Sequence, residues 1–213
     1  MVDFDAASQW YNASITIAAG WLRTGGKINF LLAARPPDNI RVQLNRLGTN
    51  AKEFEKNDKL QIWDAYSATL GLKSQEKYAF DILKVADLSI RVSREFMRMP
   101  PSPDLLWINE NSSVTARFND EKVWVEYTLS RRFPAVSITK STAIYGLIRG
   151  VHSDWAYKQL ETAADGIVDF KLEDEGGKTK DLIRIRTMRN VHFDREWHDL
   201  KVGENFGVTL EKT

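Results

Sequence analysis

The sequence predicts an α/β fold: a mostly parallel sheet flanked by helices, ending in an antiparallel edge of hairpins. Three observations carry this. Apolar runs such as Ile28–Ala34 and Leu105–Ile108 do not alternate with polar residues, as expected of strands buried on both faces. Segments with three- and four-residue apolar spacing separate those runs, as helices between parallel strands would. After residue 165 the pattern changes: Gly166–Leu172 and Asp181–Thr187 alternate around Glu175-Gly176-Gly177-Lys178, which reads as a hairpin.

Residues 8–24 place Trp10, Ile17, Trp21 and Leu22 at helical spacing, and Gly25-Gly26 ends that helix. Ile28–Ala34 is a buried strand stopped by Pro36-Pro37. Asp38 is positioned to cap a short helix through Leu47, closed by Gly48. An acidic turn, AKEFEKND, leads to the strand Leu60–Trp63. Residues 73–98 read as the longest helix, broken by Met99-Pro100-Pro101-Ser102-Pro103. Leu105–Ile108 is a strand, 119–132 a helix, Pro134–Thr139 a strand and 153–163 a helix. Two short strands, near Trp197–Val202 and Phe206–Glu211, close the chain.

Residues 1–213 suit a single domain, long enough to bury a core without staples. Lys and Arg number 30 against 29 Asp and Glu, which excludes a global pull toward nucleic acid or membrane. With no Cys, disulfides, thiolate metal sites and Cys nucleophiles are excluded. No apolar run approaches a membrane span, and MVDFDAASQW is unlike a secretory signal, so no membrane association and a cytoplasmic location are expected. His152, His192 and His198 match no zinc spacing, so no metal is expected. Ser112-Ser113 and Ser141-Thr142 have no His/Asp arrangement near them in sequence, so no nucleophilic triad is expected.

A phosphate-binding loop needs Gly, four residues, Gly, Lys, then Ser or Thr, opening a helix. The nearest stretch is Gly20 to Lys27. Gly20 stands one residue too far, Ile28 replaces the hydroxyl, and Lys27 opens a strand, so the stretch reads as a helix-to-strand turn.

Several segments in succession carry a resemblance. They are the helix Ala13–Arg23, the turn Gly25-Gly26, the strand Ile28–Leu32, Pro36-Pro37-Asp38, Arg46-Leu47-Gly48, Glu53-Phe54-Glu55 and the strand Leu60–Ala65. Further on come Ala164-Asp165-Gly166-Ile167-Val168, Glu175-Gly176-Gly177, Arg186-Thr187-Met188-Arg189-Asn190 and Phe206-Gly207-Val208, with His192 and His198 in register. From Asn12 onward this order resembles the KaiC-like and archaeal RadA-paralogue ATPases of the RecA superfamily. The resemblance implies a RecA-like sheet. It also shows departures at every position its ATP chemistry uses. The N-terminal strand and phosphate loop (Walker A) have no counterpart. The acidic pair that would polarise water falls on Ala34 and Arg35, and the metal-ordering Asp (Walker B) falls on Asn109, beside Glu110. Ala accepts no proton and Arg does not give one up. The loss of the N-terminal strand would leave a gap in the sheet, to be covered by the first dozen residues or by a second subunit.

A pseudo-ATPase is therefore expected: no enzyme, no cofactor, and a regulatory or interaction role with itself or with an active paralogue as partner. In the resemblance, Arg189 with Met188 lies where a subunit reaches its neighbour's nucleotide. One alternative is a DNA-binding recombinase-paralogue module in repair. Arg91, Arg94 and Arg98 share a helical face, Arg131-Arg132 sits beside Phe133, and Trp124 and Tyr127 are available to stack bases of single-stranded DNA. The other is a residual ATPase that uses Glu110.

Overall fold

A computed structural model describes residues 1–79, 89–90, 93–94, 98–115 and 120–211. Among them, ten strands form one sheet: β1 (Val2–Phe4), β2 (Lys27–Leu32), β3 (Leu60–Asp64), β4 (Tyr78–Ala79), β5 (Leu105–Glu110), β6 (Thr142–Ile148), β7 (Gly166–Glu175), β8 (Lys178–Met188), β9 (His198–Val202) and β10 (Val208–Leu210). Their order is β10-β9-β8-β7-β1-β6-β5-β2-β3-β4. From β4 to β7 every neighbouring pair is parallel; β7 to β10 are antiparallel. This is the predicted mostly parallel sheet with an antiparallel C-terminal edge.

Both faces of the parallel part are covered. On one face, α1 (Trp10–Arg23) and α2 (Pro37–Arg46) pack Ile15, Leu22, Ile40 and Leu44 against Phe30 and Ile62. On the other, Leu31, Trp63 and Trp107 meet Val114 and Tyr127. Successive residues of β2 thus feed two different cores, which is why that strand reads as an unbroken apolar run. A helix of the same second face, Asp154–Ala163, packs Ala156 and Leu160 against Trp124 and Leu147.

Several elements differ from the sequence reading. The missing strand is present: Val2–Phe4 inserts between β6 and β7, parallel to both. Three residues followed by polar turn residues are too short to show a periodicity. The first residues of the chain, not a second subunit, therefore close the sheet. Residues 73–77 are non-helical and Tyr78–Ala79 is a strand; Ser89, Ile90, Ser93, Arg94 and Arg98 are helical, and the rest of the expected 73–98 helix lies outside the described residues. Pro134–Thr139 is helical (Phe133–Ile138): it continues without a break from Glu121–Tyr127 through the π turn Thr128–Arg132, and that wider turn just before Pro134 accommodates its missing N–H. The strand comes later, at Thr142–Ile148. The acidic turn is a short helix, Ala51–Lys56, capped by Asn50, whose side chain accepts from the Glu53 N–H. Asp38 lies in the first turn of α2 and does not cap it.

An ion-pair network fastens β1 in place. Asp169 on β7 is only 1% exposed. It accepts from Arg184 Nε (2.8 Å) and from Arg186. Arg186 also donates to Asp3 on β1 (2.7 Å) and pairs with Glu161 (2.5 Å). Burial pushes the Asp169 carboxyl up, and the two guanidinium groups more than reverse this, so it stays below its ordinary value. A carboxylate held low in the folded state stabilises fully above its unfolded value, near pH 4, and loses that contribution as pH falls through the folded value. Arg186→Met should therefore lower stability by about 2–3 kcal/mol at pH 7, because Asp169 keeps only Arg184. Urea unfolding followed from pH 7 down to pH 2.5 should show the gap between wild type and variant narrowing below about pH 4. A gap that persists unchanged at pH 2.5 would contradict this account.

Candidate functional site

In open α/β sheets, ligands bind beyond the carboxyl ends of the strands, where neighbouring strands send their connections to opposite sides. That point lies between β1 and β6 here. β1 connects through α1 to β2 on one side; β6 connects through Asp154–Ala163 to β7 on the other. A cavity of about 150 Å³ opens at this place, lined by residues from the ends of β1, β2, β5 and β6 and by the first turns of α1. Its floor depends on Gly146: a Cβ there would come within 2.9 Å of Trp10 Nε1, so only glycine lets Trp10 lie across β6.

The end of β2 brings Ala34 and Arg35, and the end of β5 brings Asn109 and Glu110, so the four positions singled out in sequence do meet. Lys27 does not join them. It begins β2, at the opposite end of the strand, and pairs with Asp104 at 3.4 Å. The Arg35 guanidinium carbon lies over the Tyr11 ring, 3.3 Å from its centroid. Its Nε is 3.9 Å from Glu110 Oε1, and the Ala34 N–H donates to Glu110 Oε2 (3.3 Å). Burial raises the Glu110 carboxyl above its usual value, with Arg35 pulling in the other direction. Burial likewise raises the Tyr11 phenol, again against Arg35. Ser8 Oγ, Tyr11 Oη and Arg35 Nη1 are buried here without a hydrogen-bond partner among the described residues.

Asn109 is committed to the protein. Its Oδ1 accepts from Arg132 Nη2 (2.8 Å), and its Nδ2 donates to the Ile144 carbonyl (3.5 Å). Arg132 also donates to Asn111 Oδ1 (2.8 Å) and lies 4.8 Å from the Tyr145 ring centroid. Arg132 is only 6% exposed, so the Arg131-Arg132 pair is not a surface patch; Arg131 alone faces solvent. Trp124 and Tyr127 are buried and not positioned to stack bases. Arg184 and Arg186 are held by Asp169. Arg91 lies outside the described residues, while Arg94 and Arg98 are exposed. Arg189 is exposed beside Met188 and donates to the Thr162 carbonyl (2.6 Å).

The turn from β1 into α1 reads Asp5-Ala6-Ala7-Ser8-Gln9 and holds neither glycine nor lysine. Asp5 accepts from Arg149 Nη1 (2.7 Å) and from the Leu172 N–H (3.0 Å). At the mouth of α1, the Gln9 N–H donates to Asp181 Oδ1 (3.1 Å). Burial raises the Asp181 carboxyl, and the bond from Gln9 opposes that rise.

One grouping beside the cavity was invisible in the sequence. Ser112 Oγ lies 2.8 Å from His152 Nε2, and His152 Nδ1 lies 3.2 Å from Glu121 Oε1. Sequence proximity gave no support for partners of Ser112: they stand 40 and 9 residues away in the chain, and the β5–β6 pairing helps to bring the loops together. Among the described residues no cluster of His, Asp and Glu has the makings of a metal site, and no helix is long and apolar enough to cross a membrane.

No protein-family model matches the sequence, and no curated protein does. Solved structures do match in shape. A KaiC-like protein from the hyperthermophilic archaeon Pyrococcus horikoshii superposes with a TM-score of 0.69 at 15% identity, covering 99% of this chain and 88% of the other. An uncharacterised protein of the same organism, solved in complex with an unknown peptide, gives 0.72 at 14% identity, covering 99% and 90%. The sheet order, the antiparallel edge and these superpositions agree: the chain has a RecA/KaiC-like fold.

Proposed function

We propose that this chain is a RecA/KaiC-like protein that does not turn over nucleotide and works as a regulatory or interaction partner, of itself or of an active KaiC-like protein. The observation that carries the reading is the turn from β1 into α1. A phosphate-binding turn offers free amides, a helix N-terminus and a lysine to a polyanion. In this turn carboxylates stand instead: Asp5 in the loop, and Asp181 on the Gln9 amide at the mouth of the helix. A triphosphate entering there would find the donors there already taken by Asp5 and Asp181.

Three further features support it. At about 150 Å³ the cavity falls below the several hundred Å³ usual for ligands of nucleotide size. Asn109 has both ends of its amide bound within the protein, so turning it toward a metal would strip Arg132 of a partner. Lys27 is at the wrong end of its strand. The peptide carried by one structural neighbour supports polypeptide as the kind of partner this scaffold engages. The DNA-binding reading has less support, because Arg132, Arg184 and Arg186 are taken up in internal contacts.

Calorimetry with millimolar ATP and Mg²⁺ tests the reading. No saturable heat and no rise in melting temperature are expected, whereas nucleotide at a hundredfold excess over its Kd would stabilise by about 2.7 kcal/mol. Saturable binding would overturn it. Light scattering of the chain alone, and the ATPase rate of a KaiC-like protein with and without it, then test the two partner arms. Self-association or a changed rate supports the reading, and neither would sink it.

Glu110 tests the residual-ATPase alternative. A carboxyl whose folded value is raised stabilises below its unfolded value, near pH 4.3, and loses that contribution as pH rises through the folded value. Glu110→Gln removes the titration, so its stability relative to wild type should improve as pH rises from 4 to 7, by about 1 kcal/mol or less after the Arg35 contact is lost. Chemical denaturation at the two pH values measures this. Loss of a measurable ATP turnover in the same variant would favour the alternative.

A further inference from the structure

Ser112, His152 and Glu121 form a hydrogen-bonded chain, and bond counting fixes its direction. The Glu121 carboxylate only accepts, and it also takes bonds from the Ser153 amide and hydroxyl. Burial raises the Glu121 carboxyl, but the bonds from Ser153 and His152 outweigh this and keep it low and ionised. His152 Nδ1 must therefore carry the hydrogen shared with Glu121, which leaves the Nε2 lone pair facing Ser112. Ser112 Oγ also accepts from the Ile148 N–H at 2.7 Å. With that amide donating to it, the hydroxyl proton has Nε2 as its acceptor. The imidazole is 3% exposed, stacked on Trp124 (centroids 5.8 Å apart) and edge-on to Tyr157 (5.7 Å), so its orientation is fixed. Burial lowers the His152 pKa, with Glu121 drawing it back up, which keeps the ring neutral and able to accept a proton near pH 7.

The placement suits a nucleophile. Ser112 is the second residue of the helical turn Asn111–Thr115 that follows β5, and it lines the cavity at the topological switch point. The three residues follow the chain order Ser, Glu, His, the order of acyl-transfer enzymes built on α/β sheets. Such a constellation is recognised by geometry and role, whatever the sequence around it.

We propose that Ser112 is a nucleophile, with His152 as its general base and Glu121 as the group that orients His152, acting on a small carboxylic ester whose acyl part fits the cavity. The Ser112 Oγ–carbonyl carbon bond forms as the hydroxyl proton passes to His152 Nε2. The tetrahedral adduct collapses by breaking the carbon–oxygen bond to the leaving alkoxide, which takes the proton from Nε2. Water then attacks the acyl-serine, gives its proton to Nε2, and the Ser112 Oγ–carbon bond breaks as Oγ recovers that proton. The sum is ester plus water to acid plus alcohol, with no change of oxidation state. The Ile148 amide, donating to Oγ, holds the hydroxyl in place with its proton toward His152 Nε2. This chemistry is separate from nucleotide turnover and stands or falls independently of the proposal above.

A fluorophosphonate tests it directly, because Ser112 Oγ would displace fluoride from phosphorus and leave a mapped adduct. On the native protein, peptide mass mapping should find one adduct, at Ser112, and none after heat unfolding. His152→Phe keeps a ring against Trp124 but carries no base, and should slow labelling about 100-fold or more. Glu121→Gln should slow it by a smaller factor, and Ser112→Ala should abolish it. Melting curves on each variant separate lost reactivity from lost fold. If a variant is unfolded, the adduct site on the wild type decides alone. No adduct on the folded wild type, an adduct on a different hydroxyl, or an unchanged rate in a folded His152→Phe would each overturn the proposal.

Discussion

A three-residue strand at the middle of a ten-stranded sheet is the constraint on which the rest of this structure depends. β1 contributes Val2, Asp3 and Phe4, and both of its neighbours, β6 and β7, pair with it in parallel. The β2–β3 and β2–β5 pairs each match five residues; β1 matches three on either side. A ladder so short gives little cohesion, and β6 and β7 have no direct pairing to fall back on. Side chains make up the difference. On one face Trp10 packs against Phe4 and Phe170. On the other, Asp3 shares Arg186 with Asp169 and meets Arg149. Two acids on adjacent strands would repel, so the arginines from β8 and from the end of β6 are structural necessities, not a basic surface.

The same constraint shapes the crevice. Because β1 is short and its turn carries no glycine, the chain enters α1 with large side chains where a phosphate loop would present bare backbone. Trp10 lies over Gly146, Tyr11 is covered by Arg35, and Asp5 is drawn to Arg149. What remains is a cavity of about 150 Å³ with a few polar atoms facing it.

The sheet was legible where its strands are long and doubly buried, as at Ile28–Leu32 and Leu105–Ile108, because burial on both faces forces apolar residues in a row. The C-terminal hairpin was legible from alternation and its Gly176-Gly177 turn, where both glycines take positive φ. β1 was not, since three residues carry no period. The strand assigned to Pro134–Thr139 shows the reverse error: a short apolar stretch fits helix and strand equally, and here it continues the helix that begins at Glu121. At the site, the resemblance pointed to Ala34, Arg35, Asn109 and Glu110, and the ends of β2 and β5 bring these four together. The charge state of the surroundings was not found. Whether an arginine faces water or a carboxylate depends on partners far along the chain, as Arg186 shows with Asp3, 183 residues away.

The end of β5 joins these threads. Asn109, Glu110, Asn111 and Ser112 are consecutive, and their side chains divide between two destinations. Asn109 and Asn111 both accept from Arg132, on the face covered by the helices that follow β5. Glu110 reaches the Ala34 amide and Arg35 across the cavity, and Ser112 reaches His152 and the Ile148 amide beside it. Period-two alternation therefore continues past the last strand residue into the first helical turn. A buried cation held by two neutral amides and an aromatic face must keep both amides, which fixes the odd positions. Once they are fixed, Glu110 and Ser112 have no freedom to turn away from the cavity. The rigidity that a reactive hydroxyl needs comes from a guanidinium that never touches it.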